Sequence, residues 1–407
     1  MPPSAAAKPR LLVLNQYYWP GVEATAYLLA ELCEALADDY EITVVTGRVR
    51  GRPELPSRET RNGVEIVRVR SAAHDRVRLS RRALNYVTYL AEALRLGLVL
   101  PRPDVVLCGT DPPIVGEVAL AVARRHRAPL VVISEDVFPE IAVALHRLEN
   151  RPLVTMLRLV VQSYLRRADR VVSIGEAMRR RLEEKGVPSE RLCVIPNWTD
   201  VSSLRPQPKA NAWAAEHDLA GRFVVMHAGN VGHAQDLATL IRATTFLRDL
   251  DLRVVIIGTG ARLAELVDLA GVLEADQVCF LEFQPRERLA EALAAADAHV
   301  VGLARGLAGY VVPSRIYGIL AAGRPVIAAA EEESETAQLV RETGCGIVVP
   351  PGDPLRLAEV IRACHDGAYP LEEMGRRARA YAETEADRSV AVDRYRALLG
   401  EVAGARG

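Results

Sequence analysis

Arg315 is the residue of this 407-residue chain whose position most directly suggests chemistry. It follows Pro313 and Ser314 at the start of a predicted helix, for which Ser314 is the expected N-cap and Gly323 the expected C-cap. The helix dipole disfavours a cation in the first turn. An arginine beside exposed backbone N–H groups is therefore explained if they share an anion such as a diphosphate. The alternative is an exposed arginine paired with a nearby carboxylate.

Three glycine-bearing loops follow predicted strands, where backbone amides can approach a phosphate. Their sequences are NQYYWPG, HAGNVGHAQD and GTG. None matches GxGxxG, so dinucleotide reduction is not indicated. GNVG alone also fits an ordinary tight turn, but three loops together with Arg315 favour one shared ligand. The candidate ligand contacts in these loops are Gly21, Gly229, Asn230, Gly232, Gln235, Gly258 and Gly260.

Asp136 lies in the segment SEDVFPE, directly after the predicted strand at residues 129–134. It should therefore emerge at the carboxyl edge of a sheet, where a carboxylate is a candidate for orienting or deprotonating a substrate hydroxyl. Glu135 and Glu140 are neighbouring candidates. The alternative for Asp136 is a structural role as the N-cap of the helix that follows.

The histidines and cysteines do not suggest a metal centre or a covalent nucleophile. The only short D-x-D, Asp249 to Asp251, precedes a predicted strand, and no Ser-His-Asp or Cys-His arrangement can be assembled. His227 and His233 flank the GNVG loop and are candidates for phosphate or sugar contact, although isolated histidines are more often structural. The six cysteines lack a CxxC pair and are expected to be reduced core residues.

Elements that would position these residues alternate along the chain. Apolar strand runs alternate with helical segments, which predicts parallel sheets covered on both faces. The alternation restarts after a Pro- and Ser-containing connection near residues 196–209. The sequence therefore predicts an α/β protein with two Rossmann-like domains that face a cleft. Predicted strands are 11–16, 40–47, 64–70, 104–110, 129–134, 170–175, 223–229, 253–258, 278–282, 298–303, 325–330 and 346–350.

Composition is that of a globular protein. Half of the residues are apolar, a quarter are charged, and the net charge is −1. The N-terminus has no apolar signal core, and no uninterrupted apolar run reaches the about 18 residues that a membrane span requires. We therefore expect a cytoplasmic protein that does not span the membrane.

A basic segment precedes an unusually apolar predicted helix at residues 81–99. Such a segment can rest on an anionic bilayer, and the alternative is a solvated loop followed by a core helix. Nucleic acid is not expected as a partner, since the chain is not basic overall and no aromatic residues interleave with the arginines. The arginines of this segment are Arg68, Arg70, Arg76, Arg78, Arg81 and Arg82.

The ordered set of motifs resembles a known family. NQYYWPG, SEDVFPEIAVAL, IPNWTD, AGNVGHAQDL, VPSRIYGILAAGRPVIA and GCGIVVPPGD are similar, in this order, to motifs of GT-B glycosyltransferases of the retaining family 4. Within that family the chain most resembles bacterial enzymes of the WbuB and colanic-acid type, which build surface polysaccharides. The resemblance spans nearly the whole chain.

The resemblance implies a function and a division of labour. It implies transfer of a hexosyl or N-acetylhexosaminyl group from a UDP-sugar to an acceptor hydroxyl, with retention of configuration, no metal and no cofactor. The acceptor would be held by an N-terminal domain at 1–200 and the donor by a C-terminal domain at 205–385. A C-terminal helix at about 387–401 would pack back on the first domain. Relatives often use lipid-linked acceptors, which agrees with a peripheral position on the inner face of the cell membrane.

Two departures from the family pattern affect the expected site. The E-x7-E carboxylates of many members fall on Tyr310 and Gly318, and the usual diphosphate-binding Arg and Lys fall on Asn230 and Gln235. The phosphate charge would then be met by Arg315, the helix N-terminus and loop amides.

Other donor contacts are assigned by position. Glu335 could contact a sugar hydroxyl or serve as an ordinary first-turn carboxylate. Phe283 and Arg286 would contact the base, with a core position as the alternative for Phe283. Ser314 and Tyr317, on the Arg315 helix, complete the set.

Two other classes of function remain open on the sequence. The missing carboxylate pair suggests a sugar-nucleotide-binding subunit without catalytic activity. Another GT-B reaction, such as UDP-sugar epimerisation or phosphorolysis, is the second alternative.

Overall fold

A computed structural model of the chain describes residues 8–21, 23–49, 51–52, 54–71 and 79–404, with the backbone alone for 79–83. The chain forms two compact units. The first comprises Met1–Pro196 and Val392–Gly407, and the second comprises Asn197–Ala391. Each unit is built on one α/β sheet, as the alternation of strand and helix patterns predicts.

The first unit contains an eight-stranded sheet in the order β3-β4-β2-β1-β5-β6-β7-β8. All neighbouring strands are parallel except β3, which pairs antiparallel with β4 at one edge. The central strands are apolar and buried because helices cover both faces. Strand bounds are β1 Arg10–Leu14, β2 Glu41–Thr46, β3 Arg58–Arg61, β4 Val64–Arg68, β5 Val105–Cys108, β6 Leu130–Ser134, β7 Arg170–Ser173 and β8 Leu192–Val194.

Helices of the first unit follow the strands in βα order. The α5 helix shows the expected start signals, because Asn150 caps it by accepting a hydrogen bond from Leu153 N (3.0 Å) and Pro152 occupies its first turn. The helices are α1 Ala24–Leu36, α2 Leu79–Val99, α3 Val115–His126, α4 Glu140–Ala144, α5 Arg151–Leu165 and α6 Glu176–Glu184.

The second unit contains a six-stranded, fully parallel sheet in the order β11-β10-β9-β12-β13-β14. Its strands are β9 Phe223–Ala228, β10 Leu252–Ile257, β11 Val278–Leu281, β12 Ala298–Gly302, β13 Val326–Ala329 and β14 Gly346–Val349. Its helices are α7 Ala212–Glu216, α8 Leu237–Thr244, α9 Leu263–Val272, α10 Arg286–Ala294, α11 Arg315–Ala321, α12 Glu335–Thr343, α13 Pro354–His365 and α14 Leu371–Thr384.

The last helix, α15 at Arg388–Gly404, crosses from the second unit to the first. From Val392 onward it belongs to the first unit, where Arg396 pairs with Asp39 at 2.8 Å and Glu401 pairs with Arg170. These pairs connect the end of the chain to the loop before β2 and to β7.

The carboxyl ends of the parallel strands in each sheet lie at one edge, which is where α/β folds bind ligands. In the second unit this edge carries the loops after β9, β10 and β12. In the first it carries the loops after β1, β5 and β6.

Candidate functional site

Two glycines at the carboxyl edge of the second sheet are required by the backbone geometry. Gly229 follows β9 and Gly258 follows β10, with φ of 141° and 137°, a region that side chains rarely permit. A Cβ atom at Gly258 would also overlap the carbonyl oxygen of Gly229. Since Gly229 N donates to Ile257 O at 2.9 Å, the two loops pack backbone against backbone.

The rest of the GNVG loop is held in a defined conformation. Gly232 N donates to Gln235 Oε1 at 3.0 Å, and Val231 N donates to Thr259 O at 2.9 Å, beside Gly260. Asn230 is exposed, whereas the Gln235 side chain is partly buried. The structure therefore brings the predicted loop residues together, with the Gln235 oxygen serving to shape the loop.

Arg315 lies over the ends of β9 and β12. Its Nη2 donates to Gly302 O at 3.0 Å, and its Cδ would be 3.5 Å from a Cβ atom at Gly229. Nε is buried without a hydrogen-bond partner. Across the described ranges, no carboxylate lies within 4.0 Å of the guanidinium, so the alternative of an exposed arginine in an ion pair is wrong.

Burial lowers the pKa of Arg315 to about 10. The guanidinium therefore remains a cation at neutral pH, in a place where a charge is costly without a partner. The pKa of His227, on β9, is lowered as well. Burial, and then the Arg315 charge, hold it well below the usual value. His227 Nε2 lies 3.3 Å from Asn230 O, which fits a structural histidine at the base of the loop.

Helix α11 differs from its predicted form in two ways. Ser314 has helical backbone angles and its side chain makes no capping hydrogen bond, so the predicted N-cap interaction is wrong. The helix has seven residues, which limits the contribution of its dipole. Tyr317 is 3% exposed and packs in an apolar cluster with Ile316 and Leu320, so its contacts are those of a core residue.

Glu335 and Phe283 lie near ends of other strands of the second sheet. Glu335 opens α12, whose N-cap Ser334 accepts a hydrogen bond from Ala337 N at 3.2 Å. Phe283, two residues beyond β11, is 66% exposed, so the alternative of a core position is wrong. Arg286 begins α10 and is also exposed.

Asp136 lies two residues beyond the end of β6 in the first unit, and is not a helix cap. Helix α4 begins at Glu140 with Pro139 in the N-cap position, so the capping alternative is wrong. Burial, and then the nearby carboxylates of Asp111 and Glu135, together raise the pKa of Asp136 to about 7. A carboxyl group with a pKa near neutrality is suited to exchange a proton with a substrate.

The sequence analysis did not select Asp111, which follows the neighbouring strand β5. Its Oδ2 accepts a hydrogen bond from Thr25 Oγ1 at 3.1 Å. The signal was available, since strands β5 and β6 are adjacent and parallel and the motifs CGTDPP and SEDVFPE both follow them. Gly21, in the loop after β1, donates its N–H to Tyr18 O at 2.8 Å.

Glu140, the other carboxylate considered, has a structural role. Its carboxylate accepts from Arg158 Nε at 2.9 Å and pairs with Lys185 Nζ at 2.5 Å. Burial would raise its pKa, but the hydrogen bonds from Lys185 and Arg158 outweigh that effect and the pKa is lowered. Glu140 is therefore held ionised between α4, α5 and α6, and is a poor proton acceptor.

The basic segment is described only in part. Arg76 and Arg78 lie outside the described residues, and the side chains of Arg81 and Arg82, on α2, are likewise not described. Arg68 is buried and Arg70 is exposed. In the described portion of the chain, no helix combines the length and apolar character needed to cross a membrane. The same portion shows no group of three or more His, Cys, Asp or Glu side chains placed to hold a metal ion.

Two family models match the chain, one over each unit. Residues 21–198 match the glycosyl transferase 4-like domain, and residues 211–382 match the glycosyl transferases group 1 domain. Two parallel-sheet Rossmann-like domains with these matches define a GT-B glycosyltransferase fold. The chain belongs to family 4 of these proteins.

Curated relatives are bacterial. The probable glycosyltransferase WbjE of Pseudomonas aeruginosa is 32% identical over 265 residues, which cover 64% of this chain and 66% of WbjE. WcaI of Escherichia coli K12, named as a colanic acid biosynthesis glycosyl transferase, is 30% identical over 231 residues, 56% of each chain. The matches thus span between half and two thirds of these relatives.

Solved structures share the fold across the whole chain. Anabaena HepE in complex with UDP has a TM-score of 0.75 at 17% identity, covering 96% of this chain and all of HepE. HepE is also known in complex with UDP-glucose, with a TM-score of 0.74. At this level of identity the likeness establishes the fold.

Proposed function

We propose that this protein is a glycosyltransferase that moves a sugar from a UDP-sugar to an acceptor hydroxyl in the synthesis of a surface polysaccharide or glycoconjugate. The observation that carries the proposal is the partly buried Arg315 guanidinium, which lacks a carboxylate partner in the described residues and lies beside the Gly229 loop. Such a site is completed by an anion. The names of WbjE and WcaI and the UDP and UDP-glucose complexes of HepE support a nucleotide-sugar as that anion.

Arg315 would act on the leaving group. In the reaction the bond from the anomeric carbon to the diphosphate oxygen breaks, and a bond to the acceptor oxygen forms. The UDP oxygen gains negative charge as its bond breaks, so a fixed cation stabilises the transition state more than the ground state. Backbone amides of the loops at Gly229–Gly232 and Gly258–Gly260 would share the diphosphate. A cation and amides meeting this charge support a metal-independent reaction that needs no cofactor.

The remaining donor residues would hold the base and the sugar. Phe283 and Arg286 are exposed near the end of β11, where they would contact the base. Glu335, at the start of α12, would accept a hydrogen bond from a sugar hydroxyl, in place of the carboxylates that Tyr310 and Gly318 replace. We propose a hexosyl or N-acetylhexosaminyl donor and retention of configuration.

Asp136 would act on the acceptor. Its pKa of about 7 leaves a large fraction ionised at neutral pH, and that fraction can take the proton of the acceptor hydroxyl as the new bond forms. The proton leaves the hydroxyl for the carboxylate, so charge and atoms balance.

The acceptor would be sugar-bearing and lipid-linked, at the inner face of the cell membrane. The basic residues from Arg76 to Arg82 support contact with an anionic bilayer, since each arginine near such a surface contributes about 1 kcal/mol. Sedimentation with anionic vesicles at low and high salt tests this contact. Absence of binding at low salt would favour a soluble acceptor in the cytoplasm.

The function is tested by donor turnover. Protein would be mixed with a panel of UDP- and GDP-sugars and a lipid extract, and products would be separated by mass. Transfer to an acceptor from a UDP-sugar is the expected result. UDP binding without turnover would instead indicate a non-catalytic subunit, and conversion of the sugar without an acceptor would indicate an epimerase.

A further inference from the structure

A cavity of about 380 Å³ lies in the first unit between the edge strands β3 and β4 and helix α2. It is separate from the residues assigned to the donor and from Asp136. Four arginines and one glutamate are among its lining residues, Arg58, Arg68, Arg70, Arg95 and Glu92. The cavity therefore has a strong excess of positive charge among its lining residues.

The neighbouring carboxylates neutralise this charge unevenly. Arg95 is paired with Glu92 on the same helix at 2.8 Å. Arg58 reaches Glu65 only at 3.7 Å, and both side chains are largely exposed, so their attraction is weak. Arg70 is exposed and has no carboxylate within 4.0 Å in the part of the chain that the structure describes. Arg58 and Arg70 are thus the guanidiniums available to an incoming anion.

The guanidinium of Arg68 is held by contacts within the first unit. Its side chain is only 3% exposed, and it pairs with Glu59 at 2.5 Å. It also donates to Pro56 O and Trp19 O, each at 3.1 Å. Because side chains alternate along a strand, Arg68 lies on the face of Glu59 and Trp19, opposite the face of Val67 and Val69, and its guanidinium is not counted as a ligand contact.

We propose that this cavity binds a phosphate ester, as a monophosphate or diphosphate of a small organic molecule. A guanidinium group binds phosphate oxygens through two parallel hydrogen bonds, and Arg58 and Arg70 each supply such a group. The cavity falls in the size range of small-molecule sites, about 300–1,000 Å³, and is larger than a bare phosphate needs. Val67, Val69 and Leu96 supply an apolar surface for the organic part. The site does not depend on the proposed function, because none of its residues is assigned to the donor or to the acceptor hydroxyl.

The test is calorimetric titration of the full chain with inorganic pyrophosphate, in the presence and absence of saturating UDP to separate the donor site. The variants are Arg70→Gln and the double variant Arg58→Gln/Arg70→Gln. Arg125→Gln removes an equal charge from an exposed position on α3 and serves as the control. We expect UDP-independent binding that weakens about tenfold for each lost guanidinium and is unchanged in the control.

Two further titrations distinguish the source of the phosphate. Glucose 1-phosphate represents soluble esters, and vesicles containing phosphatidic acid represent lipid headgroups. Loss of either interaction in the double variant, but not in Arg125→Gln, supports the site and identifies its ligand class.

A chemical measurement on the parent protein covers the case of a variant that fails to fold. Pyrophosphate should protect Arg58 and Arg70 from phenylglyoxal, as mapped by mass spectrometry, while Arg125 reacts equally with and without it. The proposal would be overturned if Arg58 and Arg70 reacted equally with and without pyrophosphate. It would also be overturned if the titrations showed no difference between the double variant and the control.

Discussion

Both units hold a partly buried ionisable group where their strands end, but the groups have opposite charge and different neighbours. In the second unit Arg315 lies among backbone groups, and burial lowers its pKa to about 10. In the first unit Asp136 lies near two other carboxylates, and burial together with that repulsion raises its pKa to about 7. Arg315 thus keeps its charge at neutral pH, whereas Asp136 is close to half protonated.

This difference separates two kinds of chemistry. A group that stays charged can hold a charge that develops on its ligand, which is the requirement for a leaving diphosphate. A group whose pKa is near the working pH can exchange a proton, which is the requirement for activating a hydroxyl. Glu140 shows the contrast within the first unit: two cations pair with it and lower its pKa, so it supports the fold instead.

Arg315→Ala should have the largest effect. Loss of a donor that acts on developing charge typically costs about 10²–10³ in turnover, and UDP affinity should fall as well. Thermal stability should change little, because no described ion pair is broken. Turnover, calorimetric UDP affinity and thermal melts check these outcomes. Arg242→Ala, an exposed arginine on α8, is the matched control. Parent-like UDP binding by Arg315→Ala would move the phosphate site elsewhere, with His233 and Gln235 as the next candidates.

Asp136→Asn should fail in a different way. The substitution keeps the size of the side chain but removes its basicity, so transfer should fall by about 10²-fold while UDP affinity is retained. Asp38→Asn, at an exposed position of the same unit, is the control. Separate measurements of transfer rate and UDP affinity would show whether Arg315 and Asp136 act on different substrates. A fully active Asp136→Asn would remove Asp136 from the mechanism.

Much of the fold follows from the sequence, because buried parallel strands are apolar. Each of the twelve predicted strands is present. Two additional strands, β3 and β8, were missed for physical reasons. The β3 sequence RETR is polar and forms a strand through its antiparallel pairing with β4, and β8 has three residues. The β3 residues thus give no apolar signal, and the apolar run LCV of β8 is too short to identify a strand.

The site was predicted by position but not by environment. The segment around Arg315 suggested an anion site. The surroundings of the guanidinium, however, are set by Gly229 and Gly302, which are distant in sequence, and no carboxylate is described among them. The pKa of Asp136 depends in part on Asp111, which follows another strand. Tertiary contacts of this kind leave no signal in a single segment. The roles of all these residues remain predictions that the variants test.

The pH dependence of transfer sharpens the comparison. If the ionised form of Asp136 is the base, the rate should rise about tenfold per pH unit below pH 7 and level off above it. The parent should show this rise in rate below pH 7, and Asp136→Asn should lack it. Arg315, with a pKa of about 10, should add no change between pH 5 and 8. A parent profile that is flat from pH 5 to 8 would contradict the assignment.

Stability should depend on pH in the opposite direction. The folded pKa of Asp136 lies above its unfolded value, so the folded state binds more protons between about pH 4 and 7. The stability associated with this protonated group is present at low pH and is lost as pH rises through that window. The melting temperature of the parent, measured relative to that of Asp136→Asn, should therefore fall as pH rises from 4 to 8. A constant difference between the two proteins would exclude a raised pKa.

Phe283→Ala should have the smallest effect and tests whether the second unit adds neutral contacts to its charged ones. An aromatic ring that stacks on a base contributes about 1 kcal/mol at the lower end of its range, so UDP affinity should fall roughly fivefold. The melting temperature should hardly change, since the ring is 66% exposed and gives up little packing. Phe246→Ala removes a comparable ring, 48% exposed, from the end of α8 and should leave UDP affinity unchanged. Calorimetric titration with UDP and with inorganic pyrophosphate separates the base from the phosphates, because only UDP carries the base. Equal losses for both ligands would indicate that Phe283 acts through the phosphate loops, and parent-like UDP affinity would remove it from the site.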